Sequence, residues 1–94
     1  MEDLKKLRKK IDQIDKEIVR HLSRRFKITE KVGKLKFKKN LPLRDLKRER
    51  ELLKKRKDWA KKYRLSPFLI DKIFHLIIKE VLLCHSRIFL RKKK

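Results

Sequence analysis

The chain has 94 residues, with 33 Lys or Arg against 12 Asp or Glu, a net charge of +21 and an apolar share of 39%. That length allows one domain, residues 1–94, and so modest an apolar share makes a lone core marginal and favours association. A single cysteine, Cys84, excludes an internal disulfide and a cysteine metal cluster, and no apolar run approaches the roughly 20 residues of a membrane span.

One Gly and two Pro among strong helix formers predict an all-α protein. Glu2 and Asp3 argue against a transit peptide, and a cytoplasmic protein is expected. The positive field attracts polyanions and small anions alike, so some nonspecific nucleic-acid attraction follows from it. One Asn and one Gln beside abundant Lys, Arg and Ile is also a bias that accompanies thermophilic growth, which would explain much of the charge by itself.

The first helix is expected over about 3–39, with Asp3 as its N-cap. Leu4, Leu7, Ile11, Ile14, Ile18, Leu22, Ile28, Val32 and Leu35 step by threes and fours along it. The step from Leu22 lands on Arg25, where a hydrophobe is expected. Lys36 lies about three turns further on the same side. Cations on a packing face are costly unless something anionic meets them, so the pair resembles half of an anion site. Asp12 and Asp15 can pair with Arg8, Lys9, Lys16 or Arg20 at helical spacing. A helix over 4–39 would span roughly 54 Å, against a diameter of roughly 30 Å for a compact chain of this size. Its far end must be covered by another chain or left apolar in water, and an interlocked oligomer is expected.

Pro42 ends that helix, and a second is expected over about 45–63, capped by Asp45. Leu46, Leu52, Leu53, Trp59, Ala60 and Tyr63 form its apolar side, with Trp59 and Tyr63 read as core and boundary residues. Asp45, Arg48 and Glu49 precede Leu52 on the same side. Ser66 as N-cap and Pro67 at the first helical position open a third helix, about 67–91. Ile70, Ile73, Phe74, Ile77, Ile78, Val81, Cys84 and Ile88 are its apolar residues, and His85 joins them on or beside the buried face. Cys84 reads as a buried, inert thiol. The basic tail from Arg91 to Lys94 is expected to fray.

Three helices thus contribute Arg25 and Lys36, then Asp45, Arg48 and Glu49, then His85. Neither a Gly-rich phosphate loop nor a His/Asp metal spacing accompanies them. Such a cluster suits a compact dianion carrying hydroxyl and ether oxygens, and it can stabilise charge that develops in a reaction without a covalent step.

These residues resemble a family. Leu7 to Ile18 is similar to the opening signature of the all-helical chorismate mutases. Arg25 and then Val32-Gly33-Lys34-Leu35-Lys36 continue it. Pro42-Leu43-Arg44-Asp45-Leu46-Lys47-Arg48-Glu49 matches the second-helix motif, Pro-x-x-Asp-x-x-Arg-Glu. Ile73-Phe74-His75-Leu76-Ile77-Ile78 matches the third. The resemblance covers nearly the whole chain.

It implies a three-helix protomer in an intertwined homodimer with two active sites, rearranging chorismate to prephenate on the way to phenylalanine and tyrosine. It implies no cofactor and no metal. By the resemblance Arg25 binds a substrate carboxylate, and Arg8 reaches a carboxylate from the partner chain. Lys36 donates to the ether oxygen and a carboxylate, while Asp45, Arg48 and Glu49 hold the substrate hydroxyl and each other. Spacing agrees for Arg8: it lies about 25 Å along the helix from Arg25, too far for one small ligand to touch both in one chain.

Two positions depart from the family pattern. His85 stands where a Gln or Glu donates to the ether oxygen, and Val81 stands where a small polar residue is found. His85 makes activity depend on the protonation of an imidazole. Other readings remain: pyruvate elimination from isochorismate on the same fold, a weakened regulatory relative that binds an aromatic metabolite, or a basic helical nucleic-acid-binding protein. The last does not explain Asp45 and Glu49, or cations that interrupt apolar stripes.

Overall fold

A computed structural model describes the backbone of residues 2–93 and the side chains of residues 2–91. It contains three helices, α1 (Glu2–Lys38), α2 (Leu46–Lys62) and α3 (Pro67–Lys93), and no strand among the described residues. The all-helical expectation is borne out. The Asp3 expectation is corrected: α1 already includes Glu2, so Asp3 lies in the first turn, where its charge still suits the helix dipole.

Both later helix starts follow their side chains. Asp45, with an extended backbone, accepts from the Arg48 N–H at 3.0 Å. Ser66 Oγ accepts from the Leu69 N–H at 3.2 Å, and Pro67 occupies the first helical position. The ends of α1 and α2 share one geometry. Asn40 (φ 55°) and Arg64 (φ 58°) turn left-handed. Leu41 N–H then returns to the Lys36 carbonyl at 2.8 Å, and Leu65 N–H to the Ala60 carbonyl at 2.8 Å. These are Schellman ends, which satisfy carbonyls that the helices leave open.

α3 is the shared partner: it packs on α1 and on α2, while α1 and α2 make no backbone approach to each other. Leu52 and Ala60 of α2, Ile77, His85 and Ile88 of α3 and Gly33 of α1 are the buried residues. Gly33 permits a close approach of α1 and α3. A Cβ there would lie 2.5 Å from His85 Cδ2 and 3.0 Å from Ile88 Cδ1. Phe37 and Phe89 meet edge to face, 5.3 Å between centroids, and close the same seam one turn later.

The molecule is elongated, 58 × 27 × 15 Å, with a radius of gyration of 17.1 Å; a compact chain of this length has roughly 12 Å. The cause is α1. Residues 2–21 are exposed throughout, including the stripe residues Leu4, Leu7, Ile11, Ile14 and Ile18, and burial starts at Leu22. Trp59 and Tyr63 are also exposed in the single chain, which corrects their reading as core and boundary residues; in that turn of α2 Ala60 is the buried residue, and Lys57 pairs with Asp71 of α3 at 3.7 Å. Cys84 is half-buried rather than buried. The ion pairs expected for Asp12 and Asp15 do not form among the described residues.

Candidate active site

The gap between α1 and α2, floored by α3, is a cleft of about 180 Å³. That is small beside the roughly 300–1,000 Å³ of drug-sized ligand pockets, so a compact molecule fits. Arg25, Thr29, Val32 and Lys36 line it from α1. Asp45, Arg48, Glu49 and Leu52 line it from the start of α2, and Ile78, Val81, Leu82 and His85 from α3. Seven of the eight residues singled out in sequence are therefore together. Arg8 is not among them: it is exposed on the projecting half of α1.

The cations of the cleft are poorly neutralised. Arg25 is half-buried, its Nη1 has no hydrogen-bond partner, and its guanidinium lies 5.9 Å from the Phe74 ring centroid. Burial, and then the charge of Arg48, push its pKa below the ordinary value. Lys36 Nζ donates to the Leu43 carbonyl at 3.2 Å, which ties the end of α1 to the following loop. An ammonium has three N–H groups, so two remain for a ligand.

The carboxylates are held in place. Arg44 Nε and Nη2 donate to Glu49 Oε2 and Oε1 at 3.0 and 3.1 Å, a bidentate pair that fixes the side chain and raises the Arg44 pKa. Asp45 Oδ1 accepts from the Arg48 N–H, which fixes the side chain and leaves its second oxygen open. The expectation that Asp45, Arg48 and Glu49 hold each other is thus corrected in part. The ion pair runs from Glu49 to Arg44, because Arg44 precedes the helix and can fold back across its first turn.

His85 is 2% exposed. Its Nε2 lies 2.7 Å from the Thr29 carbonyl, and its Nδ1 is buried without a partner. Val81, one turn earlier, offers only apolar wall.

A model of the family described as chorismate mutase type II matches residues 7–85. The chain belongs to that family. A bifunctional chorismate mutase/prephenate dehydratase of Buchnera aphidicola subsp. Schizaphis graminum is 38% identical over 86 residues, 92% of this chain and 22% of that protein. A protein of the same description from Aquifex aeolicus is 51% identical over 55 residues, 58% of this chain and 15% of that protein. The T-protein of Haemophilus influenzae is 34% identical over 80 residues, 85% of this chain and 21% of that protein. The chain spans about a fifth of the length of the curated relatives it matches.

Beside this chorismate mutase type II cleft stands a residue that the sequence reading passed over. Arg56, two turns after Glu49, has its guanidinium 4.6 Å from the Trp59 ring centroid and 5.6 Å from that of Phe74. Its Nε is buried without a partner. Burial, then Arg48, then Arg25 lower its pKa. Its spacing from Asp45, eleven residues and about three turns, puts it on the cleft side of α2 and could have found it. Among so many Lys and Arg, that signal had no contrast.

Proposed function

We propose that the chain, as one domain over residues 1–94, rearranges chorismate to prephenate, the isomerase step toward phenylalanine and tyrosine. The observation that carries this is the convergence of Arg25, Lys36 and Arg48 with Asp45, Glu49 and His85 on one small cleft, in a chain of this family. The reaction is intramolecular: a C–O bond breaks as a C–C bond forms, and negative charge grows on the departing ether oxygen. A cation already in place there stabilises the transition state more than the substrate. Lys36 takes that role, with two N–H groups free after its tie to Leu43.

Arg25 holds a carboxylate through its unpaired Nη1. Arg48 and the fixed carboxylates of Asp45 and Glu49 receive the ring hydroxyl. Clamping the folded conformer removes much of the entropic barrier. Val81 and Leu82 form the apolar wall, and His85 faces the ligand with one ring edge. Arg8 of the partner subunit supplies the second carboxylate contact, in a homodimer held by the exposed stripe from Leu4 to Ile18.

Chorismate consumption with products identified by NMR tests the assignment. Prephenate formed by the native protein, with activity reduced at least a hundredfold in Arg25→Ala, is the expected result; an interaction of about 3 kcal/mol in the transition state corresponds to that factor. Pyruvate from isochorismate alone moves the assignment to the lyase reading. Inertness toward both compounds, with salt-sensitive nucleic-acid binding, overturns the enzyme reading.

A further inference from the structure

We propose that Asp12 and Asp15 of the partner subunit lie over Arg56, so that an ion pair between subunits sets the register in which the partner's Arg8 enters the cleft. This rests on the homodimer of the reading above.

Arg56 lacks the anion that its place calls for. Its guanidinium lies against Trp59 and Phe74, 4.6 and 5.6 Å from the ring centroids, and its Nε is buried without a partner. Arg25 reaches the same Phe74 ring from α1, at 5.9 Å. No carboxylate among the described residues pairs with either cation. Cations gathered on half-buried ground cost free energy until an anion meets them. Trp59 marks the same spot as uncovered. It follows Leu52 by two turns and so lies on the packing side of α2, yet it is 44% exposed.

Helix direction selects what covers that spot. α1 and α2 flank the cleft antiparallel. At one end Lys36 reaches Leu43, just before α2, and at the other Arg25 and Arg56 share Phe74. In a two-fold dimer, parallel α1 helices would set the partner's Arg8 beside this chain's own, about 25 Å from Arg25. Antiparallel pairing alone carries it to the cleft. The partner's α1 then runs in the direction of α2.

Asp12 and Asp15 follow Arg8 on the same helix face, about 6 and 10.5 Å further along. Leu52 and Arg48 of the cleft precede Arg56 by about 6 and 12 Å. With the partner's Arg8 level with Leu52, the partner's Asp12 arrives at Arg56. With the partner's Arg8 level with Arg48, the partner's Asp15 does. Both carboxylates are exposed, and neither forms an ion pair among the described residues. On that face the acidic pair is bounded by Arg8 on one side and Val19 on the other. A longer slide therefore sets Arg56 against a like charge or an apolar residue, which is how complementary charge fixes register.

Charge exchange tests the contact, with dimer dissociation followed by light scattering over a dilution series. Arg56→Glu should raise the dissociation constant about tenfold or more, and so should Asp12→Lys with Asp15→Lys; the three changes together should restore it to within about threefold of native. Lys61→Glu is the control. Lys61 is exposed on the opposite side of α2 from Leu52, and its reversal should not rescue the variant lacking both acids. Arg56→Lys keeps the cation and adds a second measurement. Carbodiimide should join its amine, as an amide, to the partner's Asp12 or the partner's Asp15, found by mass spectrometry in the species of twice the chain mass. A combined variant no tighter than its parents, a rescue equalled by Lys61→Glu, or an amide formed only at other carboxylates overturns the proposal and leaves the homodimer standing. An Arg56→Glu protein that dimerises as the native does also overturns it, and a raised KM for chorismate would then place Arg56 on the substrate. A native protein that stays monomeric at every concentration overturns the homodimer reading itself.

Discussion

Gly33 and His85 are one feature seen from two helices. In sequence, Gly33 is a defect of roughly 1 kcal/mol in a long helix, and His85 is a polar residue beside an apolar stripe. In the structure the glycine is the space into which the imidazole fits. Replacing Gly33 with Ala adds helix propensity but forces a methyl group against a ring that is 2% exposed and bonded to Thr29. Overpacking of this kind costs about 1–3 kcal/mol, so Gly33→Ala should lose about 1–2 kcal/mol net, read from the midpoint of a urea titration. An unchanged or raised midpoint would show that α3 can move off α1 freely. The charged cleft residues were legible because each broke an apolar pattern. Arg25 stands where a hydrophobe belongs, and Asp45, Arg48 and Glu49 precede Leu52 on one side. Arg56 broke no pattern, and only its contacts with Trp59 and Phe74 distinguish it from the surface cations.

At the scale of elements, boundaries follow local chemistry. Pro42 and Pro67 deny backbone donors, and Asp45 and Ser66 supply acceptors to the exposed N–H groups behind them. The ends of α1 and α2 fall within a residue of the positions expected, but their left-handed geometry was not legible, because neither left-handed position is a glycine. Asn40 is a residue that tolerates this conformation, whereas Arg64 is not. At Arg64 the Schellman bonds to Lys61 and Ala60 hold the strained backbone. Arg64→Gly should therefore stabilise the protein by about 0.5–1 kcal/mol, since relief of a left-handed side chain, about 1–2 kcal/mol, outweighs the added freedom of the unfolded chain. A melting temperature that rises with activity intact is the expected outcome, and a fall would mean that the Arg64 side chain makes a contact worth more than the strain.

The whole molecule is governed by the first twenty residues of α1. Leu7 is 56% exposed and Ile14 57%, on a helix that leaves its own bundle behind. No apolar surface among the described residues covers them, and the proposed homodimer would do so with a second copy. It would also carry Arg8 to a site from which this chain's own Arg8 is about 25 Å removed. Ile14→Glu places a carboxylate in the middle of that stripe. Light scattering should find the native protein at twice the chain mass of 11.7 kDa and the variant at the chain mass, with activity lost alongside. A native protein that elutes as a stable, active monomer would refute the shared site. The membrane question has a plain structural answer: no helix among the described residues is long and apolar enough to cross one.

Sequence alone determined the elements and most of the charged residues that meet at the cleft. Helix class, helix starts and the cationic interruptions are local properties, carried by spacing, proline and capping chemistry. Tertiary structure decided what those residues are free to do. Which ring nitrogen of His85 is committed, and what a side chain at Gly33 would meet, both depend on the distance between α1 and α3. Such distances arise only when α3 packs on both neighbours and holds α1 and α2 apart, and no spacing along the chain encodes them singly.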